Sequence, residues 1–96
     1  MDLSLRDTLR IRADVVFRQL DDEAVLLDLK SGMYFGLNPV GTRIWQLLGE
    51  QAALSTVLDA LAEEYDAERD ELERDLLSLG RELCDRGLME KVEGRK

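Results

Sequence analysis

The sequence has no histidine, one cysteine (Cys84) and one proline (Pro39) in 96 residues. Each shortage removes a class of function. Without histidine, neither a Ser-His-Asp triad nor a Cys-His pair can be assembled. Zinc sites built from histidine and cysteine fall away as well, because a structural site needs about four ligands. A lone thiol cannot close a disulfide within the chain and fits a reducing cytosol, so a cytoplasmic protein is expected. No apolar run approaches the roughly 20 residues that span a bilayer, so no membrane partner is expected. Residues 1–14 include Asp2 and Asp7 and no apolar block, and so do not read as a signal peptide. Positive charge is scarce too: 13 Lys and Arg stand against 21 Asp and Glu, a net charge of -8. Nucleic-acid affinity comes largely from Lys and Arg on phosphate, and this balance argues against such a partner. Carboxylate or lysine chemistry survives the counting.

What is present is ordinary globular chain, 45% hydrophobic and 35% charged. Two domains would need roughly 100–200 residues each, so residues 1–96 read as one domain, with a core over about 9–92. The charge is uneven. Residues 1–48 hold six basic and seven acidic groups, and residues 49–96 hold seven basic and fourteen acidic.

Pro39 divides two patterns. Before it the chain is extended. Val15–Leu20 is rich in β-branched and aromatic residues, Asp21-Asp22-Glu23 reads as a turn, and residues 24–29 form a second apolar run. Lys30-Ser31-Gly32 is a second turn, with Gly32 suited to positive φ, and residues 33–37 make a third short strand. Three strands joined by two short turns predict an antiparallel meander. Val25, Leu27 and Leu29 alternate with Ala24, Leu26 and Asp28. The middle strand is thus apolar on nearly both faces, which predicts a covered sheet. Residues 9–12 can add a fragment of strand.

After Pro39 the pattern is helical. Asn38 suits an N-cap and Pro39 the first helical position; Val40, Ile44, Leu47 and Leu48 then recur until Gly49. A second helix is expected over residues 54–65, with Ala53 and Ser55 both available as caps. A third runs over 68–86 and is ended by Gly87. Residues 88–92 form a last strand. This order predicts an α+β fold, winged helix-turn-helix-like, in which a three-stranded antiparallel meander is followed by three helices.

At about 100° per residue, Leu72, Leu76, Leu79 and Leu83 form one narrow stripe of the third helix, the expected core contact. Beside it lies an apolar shoulder of Leu77, Gly80 and Cys84. Gly80 costs roughly 1 kcal/mol against Ala in a helix interior. It permits close approach of another backbone, or leaves a shallow pocket. Either the first helix or the sheet fills this shoulder, or it is a groove for an external peptide. The strand Met33-Tyr34-Phe35-Gly36-Leu37 poses a similar choice. It ends the meander, and it is short, apolar and uncharged, without the Lys, Pro or bulge that usually protects an edge. Burial by the N-terminal segment, self-pairing in a dimer, and reception of an incoming strand all answer that exposure.

The run Ala24-Val25-Leu26-Leu27-Asp28-Leu29-Lys30-Ser31-Gly32-Met33-Tyr34-Phe35-Gly36-Leu37-Asn38 resembles the sheet of PqqD-like proteins. Val40-Gly41, Ile44-Trp45 and Leu47-Leu48 continue the likeness. So do Leu72, Asp75, Leu76, Leu79 and Leu83, and the closing Arg86-Gly87-Leu88. The resemblance covers about residues 9–92. It implies a winged helix-turn-helix peptide binder, a RiPP recognition element (for ribosomally made, post-translationally modified peptides). Such domains hold the leader segment of a precursor peptide as an added strand against the third helix. They present it to a modifying enzyme: a radical SAM enzyme in quinone-cofactor synthesis, a leader peptidase in lasso-peptide synthesis. The resemblance implies no catalysis, cofactor or metal of the chain's own. By analogy the edge is Met33, Tyr34, Phe35, Gly36 and Leu37, and the opposing wall is Leu77, Gly80 and Cys84. Glu73 would meet leader bases; Arg81, with Arg69 and Arg74, would meet leader acids. Tyr34 and Phe35 point to opposite faces, and which one faces the helices is open. Gly80 stands where the family pattern leads one to expect a larger apolar residue. Trp45, on the outer side of the first helix, either contacts a partner enzyme or packs on the second helix.

Three rivals remain. A winged-helix DNA-binding regulator would place the third helix in the major groove, but residues 68–86 hold four arginines against seven acids. A dimerisation module would use the same edge symmetrically, and a monomer or weak homodimer is expected in either case. An enzyme is disfavoured because the carboxylates fall on helix faces with i, i+4 basic partners, such as Asp70 and Arg74. Cys84 lacks a histidine and reads as a packing thiol.

Overall fold

The computed structural model describes residues 3–50 and 53–92. In chain order it has β1 (Leu9–Ile11), β2 (Val15–Leu20), β3 (Glu23–Asp28) and β4 (Tyr34–Leu37). Then come α1 (Pro39–Leu48), α2 (Leu54–Glu64), α3 (Arg69–Asp85) and β5 (Met89–Lys91). The meander forms as expected, an antiparallel sheet in the order β2-β3-β4. The short β1 stays out of it and pairs antiparallel with β5 in a separate ribbon, Arg10 opposite Glu90.

The junction of sheet and helices is a capping device. The Asn38 side chain accepts a hydrogen bond from the Gly41 N–H at 2.7 Å, and Pro39 occupies the first turn, where no donor is needed. β4 therefore runs into α1 with no loop between them, and α1 lies against the inner face of the sheet. On that face Phe17, Leu26 and Phe35 stand in one cross-strand row. Trp45 is 3% exposed and stacks on Phe17, ring centroids 6.3 Å apart and planes within 9°. This corrects the reading of Trp45 as lying on the outer side of α1: it is buried and packs on Phe17. As the largest side chain of α1, it fills the space under the sheet. The covered sheet is corrected as well. Val16, Val25 and Leu27 on the opposite face are only half-buried, and Leu20 and Tyr34 stay 71% and 69% exposed. Alternation made both faces apolar, but only the inner one meets a helix.

α2 begins at Ala53, which offers no side-chain cap. Its first N–H groups are satisfied from a distance: Leu54 donates to the Asp7 carbonyl and Ser55 to the Leu5 carbonyl, both at 2.8 Å. The N-terminal segment is thus part of the packed structure, and Leu3 belongs to the core at 8% exposure. α1 and α2 are joined by an Arg43–Glu64 fork with two contacts of 2.8 Å, which holds the Glu64 carboxyl below its ordinary range. α3 ends in a Schellman turn. Gly87 takes φ +75°, its N–H donates to the Cys84 carbonyl at 3.0 Å, and the Leu88 N–H donates to the Leu83 carbonyl at 2.9 Å. The buried Leu88 then leads into β5.

Gly80 shows what fills the shoulder of α3. A Cβ there would sit 2.9 Å from Leu3 Cδ1 and 3.4 Å from Leu9 Cδ1. The N-terminal segment and β1 close over this flank, rather than α1 or the meander. The end of the Leu3 side chain can rotate away from one methyl group, and alanine regains about 1 kcal/mol of helix propensity. Gly80→Ala is therefore expected to move unfolding free energy by less than about 1 kcal/mol. Gly80→Leu overpacks the site and costs about 1–3 kcal/mol. In a Leu3→Ala background that cost shrinks, which urea unfolding of the four chains measures directly.

Candidate functional site

Among the described residues β4 is hydrogen-bonded on one side only, to β3. The register says which of its groups are free. Asp28 donates its N–H to the Met33 carbonyl at 3.0 Å. Antiparallel pairs alternate between bonded and non-bonded. With Leu26 opposite Phe35 and Ala24 opposite Leu37, Phe35 and Leu37 turn their backbone groups to β3. Tyr34 and Gly36 turn theirs to the open edge. Side chains alternate independently, and this settles what the sequence left open: Phe35 faces the helices and Tyr34 faces out, 69% exposed. Phe35 is braced by Arg86, whose guanidinium lies 5.0 Å from the ring centroid.

A cavity of about 410 Å³ runs along this edge. Phe35 and Leu37 of β4 form one side, Val40 and Ile44 of α1 the floor, and Asp75, Leu79 and Glu82 of α3 the far wall. A second hollow of about 280 Å³ adjoins it, lined by Asp28, Ser31, Met33, Tyr34, Phe35, Arg86 and Leu88. Phe35 borders both, so the two make one groove. Its α3 wall is a single helical stripe, Asp75, Leu79, Glu82 and Arg86, spaced four, three and four residues apart.

The structure brings the expected edge strand to α3, but it does not bring the expected wall to that edge. Leu77, Gly80 and Cys84 lie across the core stripe of Leu72, Leu76 and Leu83 from the groove. Gly80 is sealed under Leu3. Glu73, Leu77 and Arg81 line a separate shallow depression with Asp70 and Arg74. Arg69 is engaged with Asp59 at 2.7 Å. Leu79, read as core, is only half-buried and belongs to the groove. An apolar shoulder centred on a glycine is one the chain fills itself. The signal for the open side was the reverse: a leucine at the margin of the core stripe with carboxylates on its rim. Burial pushes the Cys84 thiol up, with Asp85 adding to the rise against an opposing effect of Lys91. The thiol is thus protonated at neutral pH and behaves as packing. Among the described residues no helix is long and apolar enough to cross a membrane.

The family described as "Coenzyme PQQ synthesis protein D (PqqD)" matches residues 23–89, a stretch that holds β4, α1 and α3 and hence every wall of the groove. This chain belongs to the PqqD family. Two solved structures resemble this PqqD-family chain throughout. One, described as TbiB1 in complex with the TbiA(beta) leader peptide, is 42% identical with a TM-score of 0.81, covering 88% of this chain and 99% of its own. The other, a lasso peptide synthetase B1 complexed with the leader peptide, is 34% identical with a TM-score of 0.78, covering 85% and 96%. Comparison with curated proteins gave no match.

The division of β4 into inward and outward backbone groups is testable on the protein alone. Gly36→Pro removes an N–H that points away from β3, as edge positions tolerate. It is expected to keep the native fold. Phe35→Pro strands a carbonyl in the β3 ladder, costing a further 1–3 kcal/mol or so. Thermal unfolding followed by circular dichroism ranks the two; equal destabilisation would mean that the edge is assigned wrongly.

Proposed function

We propose that this chain is a non-catalytic adaptor that binds the leader segment of a ribosomally made precursor peptide as a fourth strand on β4. The bound leader is presented to a modifying enzyme. A leader peptidase of a lasso-peptide pathway fits better than a radical SAM enzyme, because both similar structures are described with leader peptides and one of them as a lasso peptide synthetase B1. The observation that carries the reading is the free edge of β4 facing α3 across an open groove.

The division of labour follows from strand geometry. Backbone bonds to Tyr34 and Gly36 give the peptide its register but little sequence preference. Alternate side chains of the added strand turn inward onto Val40, Ile44 and Leu79, and those pockets supply selectivity. The other side chains pass over the Tyr34 face into solvent. With its leader held extended, the remainder of the precursor stays outside the groove and within reach of an enzyme. An edge occupied by a leader is closed to a second copy, so the working unit on this reading is one chain with one peptide. Cys84, held protonated, has no part in the task and suits a reducing cytoplasm.

Fluorescence anisotropy with labelled TbiA(beta) leader peptide tests the placement. Leu79→Asp puts a charge on the apolar wall and is expected to weaken binding about tenfold or more, a cost of roughly 1.4 kcal/mol upward. Leu77→Asp, on the other flank, is expected to leave affinity within about twofold. If Leu77→Asp abolishes binding in a folded protein while Leu79→Asp does not, the groove lies on the flank expected from the sequence.

A further inference from the structure

We propose that Asp75 selects a leader carrying Lys or Arg at the end of the bound strand beside Leu37, and thereby sets the direction in which the strand docks. This rests on the peptide-binding reading above and adds the charge and orientation of the peptide to it.

An open strand edge accepts a partner in either direction, with only a small preference for antiparallel pairing. The backbone groups of Tyr34 and Gly36 therefore orient a peptide weakly. The α3 wall is not symmetric. Along the stripe Asp75 lies toward the end bordered by Leu37 and Val40, Glu82 lies between Leu79 and Arg86, and among the described residues no Lys or Arg lines that cavity. Arg86 and Asp28 lie at the other end, with Met33 and Tyr34. Three of these four charges are already engaged; the Asp28 carboxylate accepts from the Lys30 N–H at 3.0 Å and from the Ser31 hydroxyl at 3.1 Å. Arg86 is 3.3 Å from Glu82 and sits over the Phe35 ring. Asp75 is exposed and forms no salt bridge among the described residues. Nor does the helix need it as a cap: Asp70 and Glu71 occupy the first turn, where the dipole favours acid, and Asp75 lies beyond that range. Asp75 is thus the groove carboxylate that makes neither a hydrogen bond nor a salt bridge among the described residues, and it lies at one end.

The spacing makes the peptide more specific. Residues four apart on a helix rise about 6 Å, and residues two apart on a strand about 6.7 Å. Asp75 and Leu79 therefore face successive inward positions of an added strand. In antiparallel docking the peptide enters at the Leu37 end. Its recognised stretch then reads base, any residue, apolar residue, in that order.

The test is anisotropy of the full chain with the TbiA(beta) leader peptide scanned so that each position in turn is Lys or Glu. Expected is one position, two before an apolar residue, where Lys binds about 2- to 5-fold tighter than Glu, the range of an exposed ion pair. Asp75→Asn should flatten that preference and Asp75→Lys should invert it at that position alone. Glu73→Lys, an equal charge change on the other flank, should leave it intact, which separates local pairing from the attraction of a chain with net charge -8. If scanned peptides bind but the preference is the same in wild type and Asp75→Lys, the charge assignment is wrong and the peptide-binding reading stands. Should the base be preferred two positions after the apolar residue, the docking direction is overturned. Failure of every scanned peptide to bind wild-type protein defeats both.

Discussion

The groove exists because α3 is anchored on the flank that faces away from β4. Leu3 and Leu9 close on Gly80, and the Schellman turn at Gly87 sends the chain into β5, which pairs with β1. Burying a leucine of this kind stabilises by about 1.5–3 kcal/mol. These contacts use the N-terminal segment as a buttress. The same segment also caps α2 with the Asp7 and Leu5 carbonyls, so it locks two helices together. With α3 held from behind, its front stripe of Asp75, Leu79, Glu82 and Arg86 is left standing opposite an unpaired strand. A larger residue at position 80 would press on the buttress, not fill the groove.

From that arrangement the chemistry of the site follows. The edge supplies hydrogen-bonding groups that sheets normally pair or protect, the floor supplies apolar contact through Val40 and Ile44, and the rim supplies charge. None of these groups is a nucleophile or a buried acid-base pair. They suit a segment that arrives extended. Such a binder works by holding a peptide for another protein, and the similarity to two chains described with leader peptides agrees in kind with this design.

What could be read from the sequence was what depends on neighbours in the chain. β2 and α1 fall where expected because Asp21-Asp22, Asn38-Pro39 and Gly49 are local signals, and Gly87 ends α3 for the same reason. The family resemblance was carried by the ordered run through residues 24–38 and by the leucines of α3, and the family match bears it out. What could not be read was tertiary. A helical wheel finds two shoulders beside the core stripe of α3 but not which of them faces the sheet. The apolar shoulder at Gly80 looked open because Leu3, its occupant, lies 77 positions away in sequence. Trp45 was placed on the outer side of α1 on the same ground, since its partner Phe17 comes from a strand. The poor start of α2 was real in sequence and is repaired by distant carbonyls. The outer sheet face looked covered because alternation reports polarity, not contact.

The central claim is that a peptide adds to β4 and lies against the Leu79 stripe of α3. Titration of ¹⁵N-labelled protein with the TbiA(beta) leader peptide, followed by amide hydrogen exchange, tests it directly. The account predicts that the Tyr34 and Gly36 amides, free in the unbound chain, gain protection on binding while Phe35 and Leu37 change little. It also predicts shifts along Asp75, Leu79 and Glu82. Protection unchanged at Tyr34 and Gly36, with shifts gathered instead at Leu77, Arg81 and Cys84, would contradict it.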